Sequence, residues 1–295
     1  MAFFLICNGT PAAAESAEVP VPWWSFGKTV LAAAALTLVR DGLVGLDEPL
    51  PEGPFSLRQL LRHQAGLADY GELADYHAAV AGHAAPWPED ELLRRLDARR
   101  LRYAPGNGWR YSNIGYLYVA RLIERLAGLP LDQGLTQRVL APAGLRLVRL
   151  ARRPADLYGV QLGAVATYHP GWVYHGLLVG PLAEAAQWLE CLLAGELLPT
   201  PLLQEMQAAH ALGAAIPGRP WAAPGYALGL VQGPARNGLA CSGHTGGGPG
   251  SVLAAYRSVQ GARTASCAVF HPGVDQAAVE EQVVARLSGA VGWAG

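Results

Sequence analysis

The sequence has few of the features that mark a disulfide-stabilised, membrane-spanning or nucleic-acid-binding protein. Its 295 residues include four cysteines, which lie far apart and form neither a C-x-x-C pair nor a Cys/His set with zinc-ligand spacing. No apolar run approaches the roughly 18 residues that a membrane helix needs. The formal net charge is −1 and there is no basic block, so the sequence offers no concentrated positive charge for binding nucleic acid. We expect free buried thiols, no metal site, no membrane span and no nucleic-acid partner.

The first nine residues are apolar but lack the positive charges that precede the apolar stretch of a signal peptide. A β-strand over residues 3–8, closed by the turn-forming pair Asn8-Gly9, fits them better. Because the sequence shows no export signal, we expect a cytoplasmic protein.

Lysine occurs once in the sequence, at residue 28, and the other residues of the Lys/Arg class are all arginine. The two residue types are interchangeable on a solvated surface but not at a site that must lose a proton. Arginine stays charged in proteins, whereas a desolvated lysine can become a neutral base. The single lysine therefore indicates a chemical role at residue 28.

Two familiar motifs fail around Lys28. A phosphate-binding loop ending in Gly27-Lys28-Thr29 would need glycine where Pro22 stands. A G-x-S-x-G nucleophile elbow would need glycine where Trp23 stands. The motif that remains is S-x-x-K, formed by Ser25 and Lys28 at the start of a predicted helix. Residues three apart on a helix share a face, and the helix N-terminus favours both a neutral amine and a developing alkoxide.

Two further motifs follow along the chain. Tyr111-Ser112-Asn113 offers a phenol, which a neighbouring cationic lysine can hold partly as phenolate, and an amide that can bind a substrate carbonyl and orient Lys28. The run HTGGGPG, residues 244–250, comes at the end of a predicted strand. Its glycines allow close approach to the backbone, and a free N–H there can face an oxyanion.

Apolar periodicity predicts helices over residues 28–41, 55–63, 111–128 and 275–287. Short apolar runs between Gly- and Pro-rich turns predict an antiparallel meander over residues 226–232, 239–244, 251–257 and 263–270. Together with the strand near the start, this predicts a single α/β (α+β) domain, residues 1–295. Residues 1–30 and 225–295 would form an antiparallel sheet with flanking helices, and residues 31–224 a mostly helical insert.

S-x-x-K, then Y-x-N, then [KH]-[TS]-G in this order resembles the serine β-lactamase and penicillin-binding protein family. The tyrosine motif and the histidine are most similar to the branch of class C β-lactamases, DD-peptidases, D-aminopeptidases and related esterases. Family-like blocks also occupy residues 42–49 (GLVGLDEP), 57–67 (LRQLLRHQAGL) and 105–116 (PGNGWRYSNIGY). The resemblance is good over residues 23–130, fair over 225–271 and slight over 131–224.

The resemblance implies a β-lactamase/transpeptidase-like fold and a role for each motif residue. Ser25 would be the acylated nucleophile, with proton transfer shared between Lys28 and Tyr111. The remaining roles are substrate binding by Asn113, His244, Thr245 and Gly246, and an oxyanion hole formed by the backbone N–H groups of Ser25 and Gly247. The substrate would be a small ester, peptide or β-lactam, hydrolysed without a metal or organic cofactor. The oligomeric state is left open.

The sequence departs from the family pattern at three points. Only 24 residues precede Ser25, so part of the sheet is expected to be shortened. Gly27 replaces the commoner threonine. His244 stands where β-lactamases have lysine, and an ordinary histidine, with a pKa near 6.5, would hold a substrate carboxylate weakly at neutral pH. We therefore expect esters and small peptides to be favoured over penicillins.

A protein that keeps the fold but not the turnover is the alternative. Such a binder or sensor would hold a ligand in the same pocket or be acylated once per chain. The intact set of Ser25, Lys28, Tyr111 and Asn113 favours the enzyme.

Overall fold

The computed structural model describes residues 1–293, and an antiparallel sheet of eight strands dominates it. The strands are β1 Ala2–Cys7, β2 Thr10–Glu15, β3 Pro20–Pro22, β4 Pro49–Leu50, β5 Gly53–Ser56, β6 Arg149–Ala151, β7 Leu177–Pro181, β8 His210–Ala211, β9 Gly225–Tyr226, β10 Val231–Pro234, β11 Ala240–Gly248, β12 Ser251–Gln260 and β13 Arg263–Pro272. The large sheet has the order β2-β1-β13-β12-β11-β10-β9-β8, while β3-β7-β6 and β4-β5 form two small sheets.

The helices are α1 Gly27–Arg40, α2 Leu57–Leu61, α3 Ala74–Ala81, α4 Glu89–Arg95, α5 Asn113–Ala127, α6 Leu131–Leu135, α7 Leu182–Leu193, α8 Thr200–Gln207 and α9 Gln276–Val291. Their ends follow local chemistry. Ser56 and Gln59 form a reciprocal capping box at α2, and the side chains of Ser112 and Asp275 cap α5 and α9. No helix within residues 1–293 combines the length and apolarity that crossing a membrane requires.

Both ends of the chain build the large sheet, which confirms the predicted fold class. The hairpin β1-β2 turns at Asn8 and Gly9, which both have positive φ, as a type I′ turn requires. All three of β1, β2 and β3 precede Ser25. All four cysteines are free, with Cys7 half-buried and the others buried.

The two faces of the large sheet are covered by different helices. Because side chains alternate along a strand, Leu253 and Ala255 of β12 point into a core shared with α1, α5 and α7. Val252 and Ala254 point the other way, into a second core shared with α9. The sheet is therefore sandwiched between helices.

Helix α7 packs on β1, β12 and β13 of the large sheet, although it lies within residues 31–224, the range expected to form a separate helical part. That range also contributes β6 and β7 to a small sheet and β8 to the edge of the large one. The division of the chain into two parts by residue number stays a prediction. In space, the sheet part includes α7.

The predicted strand over residues 226–232 is two short strands, β9 and β10, separated by a buried turn. The turn lies against the start of α1, where Thr29 Oγ1 donates to the carbonyl oxygen of Gly229 at 2.7 Å. Gly229 has a φ of +76°, and a Cβ on it would stand 2.5 Å from the Cβ of Ala32. An apolar run that looks like one strand is therefore broken by packing on a helix far away in the sequence.

Candidate active site

Ser25 lies in a tight 3-10 turn, Trp24–Phe26, that leads directly into α1. Trp24 has a φ of +45°, a left-handed conformation that bulky residues rarely adopt. The surroundings hold this strained residue in place: its indole N–H donates to Oγ of Ser251 at 3.0 Å, and its ring packs edge-on against Tyr168. These two contacts fix the conformation of the backbone immediately before Ser25.

The glycines of residues 246–248 lie inside β11, not in a turn after it, and remain paired with β12. A Cβ on Gly246 would stand 2.6 Å from the carbonyl oxygen of Trp23 and 2.7 Å from the backbone nitrogen of Ser25. The strand can approach the turn this closely only because residue 246 has no side chain. Gly246 therefore lets β11 lie close to the serine turn. It does not line the cavity beside Ser25, and its expected role in substrate binding stays a prediction. Gly247, by contrast, lines a cavity together with Ser25.

The structure brings Ser25, Lys28 and Tyr111 together. The Tyr111 hydroxyl donates to Ser25 Oγ at 2.7 Å, and Lys28 Nζ lies 3.1 Å from the same oxygen. Lys28 has no exposed surface. The serine hydroxyl is thus placed between a phenol and a buried amine, each within reach of its proton.

Asn113 orients Lys28 from the start of α5. Its Oδ1 accepts a hydrogen bond from Lys28 Nζ at 2.7 Å, while its Nδ2 donates to both carboxylate oxygens of Asp69, at 3.0 and 3.3 Å. The Asp69 carboxylate also accepts from the Asn113 backbone N–H at 2.8 Å. The donor side of the amide, which was expected to meet the substrate, is therefore engaged by Asp69. No motif in the sequence marks this aspartate.

Burial lowers the pKa of Lys28 to about 7, although the carboxylate of Asp69 acts in the opposite direction. For Tyr111, loss of water around the phenol raises the pKa above its usual value, even though the hydrogen bond to Ser25 opposes this. The expectation of a partial phenolate is therefore wrong, because desolvation disfavours the charged form. Near neutral pH the amine is the accessible base, and the phenol remains a proton donor.

Two buried histidines complete the surroundings of Lys28. His175, in the loop before β7, places Nε2 3.3 Å from Lys28 Nζ. His63 accepts the Ser112 backbone N–H on Nδ1 at 3.1 Å, and its ring lies 4.4 Å from that of Tyr111. His63 lies in the family-like block 57–67, so the resemblance could have indicated a role for it near the site. His175 lies in the stretch with little resemblance and was missed.

His244 and Thr245 do not line the cavity beside Ser25, which corrects their expected position; a role in substrate binding stays a prediction. His244 is buried, with Nε2 2.9 Å from the Tyr226 hydroxyl and Nδ1 2.8 Å from the Thr245 carbonyl oxygen. Burial lowers its pKa to about 3. The side chain of Thr245 points to the other face of β11, where its hydroxyl donates to Glu280. Neighbouring residues of a strand face opposite ways, so only one of the two could have faced Ser25.

A cavity of about 100 Å³ opens on Ser25. Its walls are largely aromatic, formed by Trp24, Tyr70, Tyr76 and Tyr168. Val173, Asn113, His175, Gly247 and Gly248 also line it. Within residues 1–293, no arginine, lysine, aspartate or glutamate lines the cavity. The space is small and uncharged apart from the reacting groups behind it.

Residues 10–284 of the sequence match the beta-lactamase family. The chain belongs to the beta-lactamase family. The match includes residues 131–224, where the motifs alone showed little resemblance. Residues 1–9 and 285–295 lie outside it.

Relatives within the beta-lactamase family include a D-aminopeptidase of Brucella ovis, which is 29% identical over 183 residues. Those residues are 60% of this chain and 33% of that protein, so the chain spans about a third of the length of this curated relative.

Two solved structures, of a penicillin-binding protein homologue and of an amidase, share the fold over nearly the whole chain. A penicillin-binding protein homologue from Pyrococcus abyssi has a TM-score of 0.80 at 18% identity and covers 99% of this chain and 73% of that one. The D-amino acid amidase from Ochrobactrum anthropi has a TM-score of 0.79 at 22% identity and covers 98% and 94%. At these identities the likeness establishes the beta-lactamase-type fold, as the sequence resemblance implied.

Proposed function

We propose that this chain is a serine hydrolase that forms an acyl-enzyme on Ser25, with Lys28 as its base. The observation that carries the proposal is the contact of Ser25 Oγ with two proton-transfer groups at once, the Lys28 amine at 3.1 Å and the Tyr111 phenol at 2.7 Å. A serine hydroxyl becomes a useful nucleophile only when a neighbouring base removes its proton as it attacks. A lysine with a pKa of about 7 is half neutral at physiological pH.

In acylation, Ser25 Oγ attacks the substrate carbonyl carbon and gives its proton to the neutral Nζ of Lys28. The backbone N–H groups of Ser25 and Gly247 donate to the oxygen that becomes negative. When the bond to the leaving group breaks, the Tyr111 hydroxyl protonates the leaving atom and regains a proton from Lys28. Lys28 is then neutral again, and the acyl group remains on Ser25 as an ester.

In deacylation, water attacks the acyl-enzyme carbonyl and gives a proton to Lys28. The ester bond to Ser25 breaks, the serine oxygen recovers the proton, and the carboxylic acid is released. The same groups therefore serve both half-reactions without a metal or organic cofactor.

For the substrate, we propose small, uncharged esters or small D-amino-acid amides in preference to penicillins. The aromatic walls and the volume of about 100 Å³ suit a short acyl group. A penicillin carries a carboxylate, and no cationic side chain within residues 1–293 lines the cavity to meet it. The amidase and D-aminopeptidase names of the relatives add amides to the candidate set.

Intact-mass spectrometry tests the nucleophile. A fluorophosphonate should add once to the wild-type chain and not to Ser25→Ala, while Ser288→Ala, a serine far along α9, should still react. Ester turnover should fall about a thousandfold or more in Ser25→Ala and stay unchanged in the control. If Ser25→Ala keeps activity within about tenfold of wild type, the assignment is wrong. If wild type is acylated once without turnover, the chain is a binder and not a hydrolase.

A further inference from the structure

We propose that His175 is a positioning residue for Lys28: its Nε2 accepts a hydrogen bond from the neutral amine and so directs the lysine lone pair at Ser25. This inference rests on the proposed function, because it assigns the element that aims the base. His175 is buried and lines the cavity that opens on Ser25.

The donors and acceptors around Lys28 determine where its lone pair points. A neutral amine has two N–H donors and one lone pair. Among residues 1–293, three atoms lie within hydrogen-bond distance of Nζ: Asn113 Oδ1 at 2.7 Å, Ser25 Oγ at 3.1 Å and His175 Nε2 at 3.3 Å. Asn113 Oδ1 can only accept, so it takes one N–H. If His175 Nε2 takes the other, the lone pair is left for Ser25.

The serine side of the arrangement agrees with this count. Ser25 Oγ already accepts from the Tyr111 hydroxyl, so its own proton is available to donate to the lone pair of Lys28. Without an acceptor at residue 175, the second N–H of the amine could turn toward Ser25 Oγ, and the lone pair would then point elsewhere. His175 therefore selects the productive orientation of the base.

The acceptor role dictates the histidine tautomer. If Nε2 accepts, the ring proton of neutral His175 must be on Nδ1. Nδ1 is buried and has no hydrogen-bond partner within residues 1–293. Burial, and then the charge of Lys28, lower the pKa of His175 well below its usual value, so the ring stays neutral and keeps one nitrogen that can accept.

The other ionisable groups around Lys28 matter for any pH measurement. They come from every element packed against the amine: Asp69, Tyr111, Tyr116, His63 and His244. The pKa values of both His63 and His244 are lowered by burial, and that of Tyr111 is raised. None of these three groups is expected to titrate between pH 6 and 9, and burial raises the pKa of Tyr116 as well. Burial also raises the pKa of Asp69, so a change in that range belongs to Lys28 together with Asp69.

Nitrogen NMR tests the tautomer without requiring activity. Long-range proton–nitrogen correlations of nitrogen-15-labelled wild-type protein at pH 7.5, with the His175 signals assigned by their loss in His175→Gln, should show the Nδ1–H tautomer. In Lys28→Met, which removes the donor, the Nε2–H form should become populated. An Nε2–H tautomer in the wild type would overturn the proposal, whatever the protein hydrolyses.

Matched variants test the positioning role itself. His175→Gln keeps an acceptor near the Nε2 position, whereas His175→Leu has a similar volume and no acceptor. For p-nitrophenyl butyrate, kcat should fall about a hundredfold in the leucine variant, as a misplaced catalytic group does, with KM within about threefold. The glutamine variant should stay within about tenfold of wild type.

The pH profile separates positioning from a structural role. Loss of an acceptor that also stabilises the ammonium form should move the acidic limb of kcat/KM to lower pH in His175→Leu but not in His175→Gln. If both variants have wild-type Tm and lose activity equally, or if the leucine variant stays within about threefold of wild type, His175 does not position Lys28. If wild type hydrolyses no ester, the proposed function fails, and the tautomer still decides the contact.

Discussion

Tyr111 and Ser25 are separated by 86 positions in the sequence, yet the phenol of Tyr111 donates to the serine Oγ at 2.7 Å. The contact is held from behind, because the ring of His63 lies 4.4 Å from that of Tyr111 and His63 also accepts the backbone N–H of the next residue. Because burial keeps the phenol protonated, this contact suits a proton donor to the leaving group more than a base.

Replacing Tyr111 by phenylalanine should therefore impair steps in which the leaving atom must receive a proton. The change removes one hydroxyl and little volume, so Tm should change by no more than a few degrees. General acid–base groups contribute about 10²–10⁴-fold, and we expect kcat/KM for an anilide or amide to fall within that range. An ester with a p-nitrophenolate leaving group should lose less, since that group departs without a proton.

The fully solvated Tyr158, which is 93% exposed, provides the matched control, and Tyr158→Phe should leave both rates unchanged. A loss below about threefold on the amide substrate in Tyr111→Phe would remove Tyr111 from the mechanism.

The activity of this site should rise with pH through about 7. The pKa of Lys28 is lowered to about 7 by burial, and only the unprotonated amine can take the serine proton, so protonation on the acidic side switches the base off. We expect kcat/KM for p-nitrophenyl butyrate to increase tenfold per pH unit below pH 6 and to level off above pH 8. A rate that stays constant from pH 5.5 to 9 would contradict the assignment of Lys28 as base.

Lys28→Arg tests the same residue with a side chain that is permanently charged. Arginine cannot supply a neutral amine at any accessible pH, so acylation should fail nearly as badly as in Lys28→Ala. Recovery of most of the rate with arginine would mean that residue 28 acts only through its charge.

The close approach of β11 to the nucleophile predicts a large effect from the smallest substitution. In Gly246→Ala, the new Cβ would meet the Ser25 backbone nitrogen at 2.7 Å, so the strand must shift away and take Gly247 with it. Overpacking of this kind costs about 1–3 kcal/mol, and we expect both a lower free energy of unfolding and a loss of at least tenfold in kcat.

Gly289→Ala is the control for that substitution. Gly289 lies in α9 with open space around the added Cβ, and alanine is the better helix former by about 0.5–1 kcal/mol. Its unfolding midpoint in denaturant should rise while kcat is unchanged. If Gly246→Ala behaves like Gly289→Ala, the strand does not need to touch the serine turn.

Much of the site was predictable because the chemistry is concentrated in short motifs. The S-x-x-K pair identified Ser25 and Lys28, and Tyr111-Ser112-Asn113 was placed correctly at the start of a helix. Helix ends were predictable where capping residues mark them, as at Ser112 and Gly128. These features depend on residues close in sequence, which a pattern can record.

What was missed depends on contacts distant in sequence. Asp69 and His175 reach Asn113 and Lys28 from loops with no periodicity, so only the folded structure brings them to the site. The break between β9 and β10 comes from packing on α1, which no local signal reports. Thr245 is different, since alternation along a strand could have shown that it and His244 face opposite sides.

His244 does not line the cavity beside Ser25. This position changes the expected pH dependence of substrate selectivity. An ordinary histidine would become charged as the pH falls toward 6 and attract a substrate carboxylate. Here the ring is buried against Tyr226, and burial lowers its pKa to about 3. His244 therefore stays neutral from pH 6 to 8. The gain of carboxylate-bearing substrates at pH 6 that an ordinary histidine would give should therefore not occur.

We therefore predict that p-nitrophenyl butyrate outperforms nitrocefin in kcat/KM throughout pH 6–8, and that the ratio of the two values stays constant across that range. Both substrates depend on the same Lys28, so its titration cancels in the ratio. Because residue 244 is buried and does not line the cavity beside Ser25, neither His244→Lys nor His244→Gln should raise the ratio toward nitrocefin. A wild-type ratio that rises more than about threefold toward nitrocefin as the pH falls would show that His244 does titrate. Faster turnover of nitrocefin than of the ester by the wild type would show that the uncharged cavity does not exclude β-lactams.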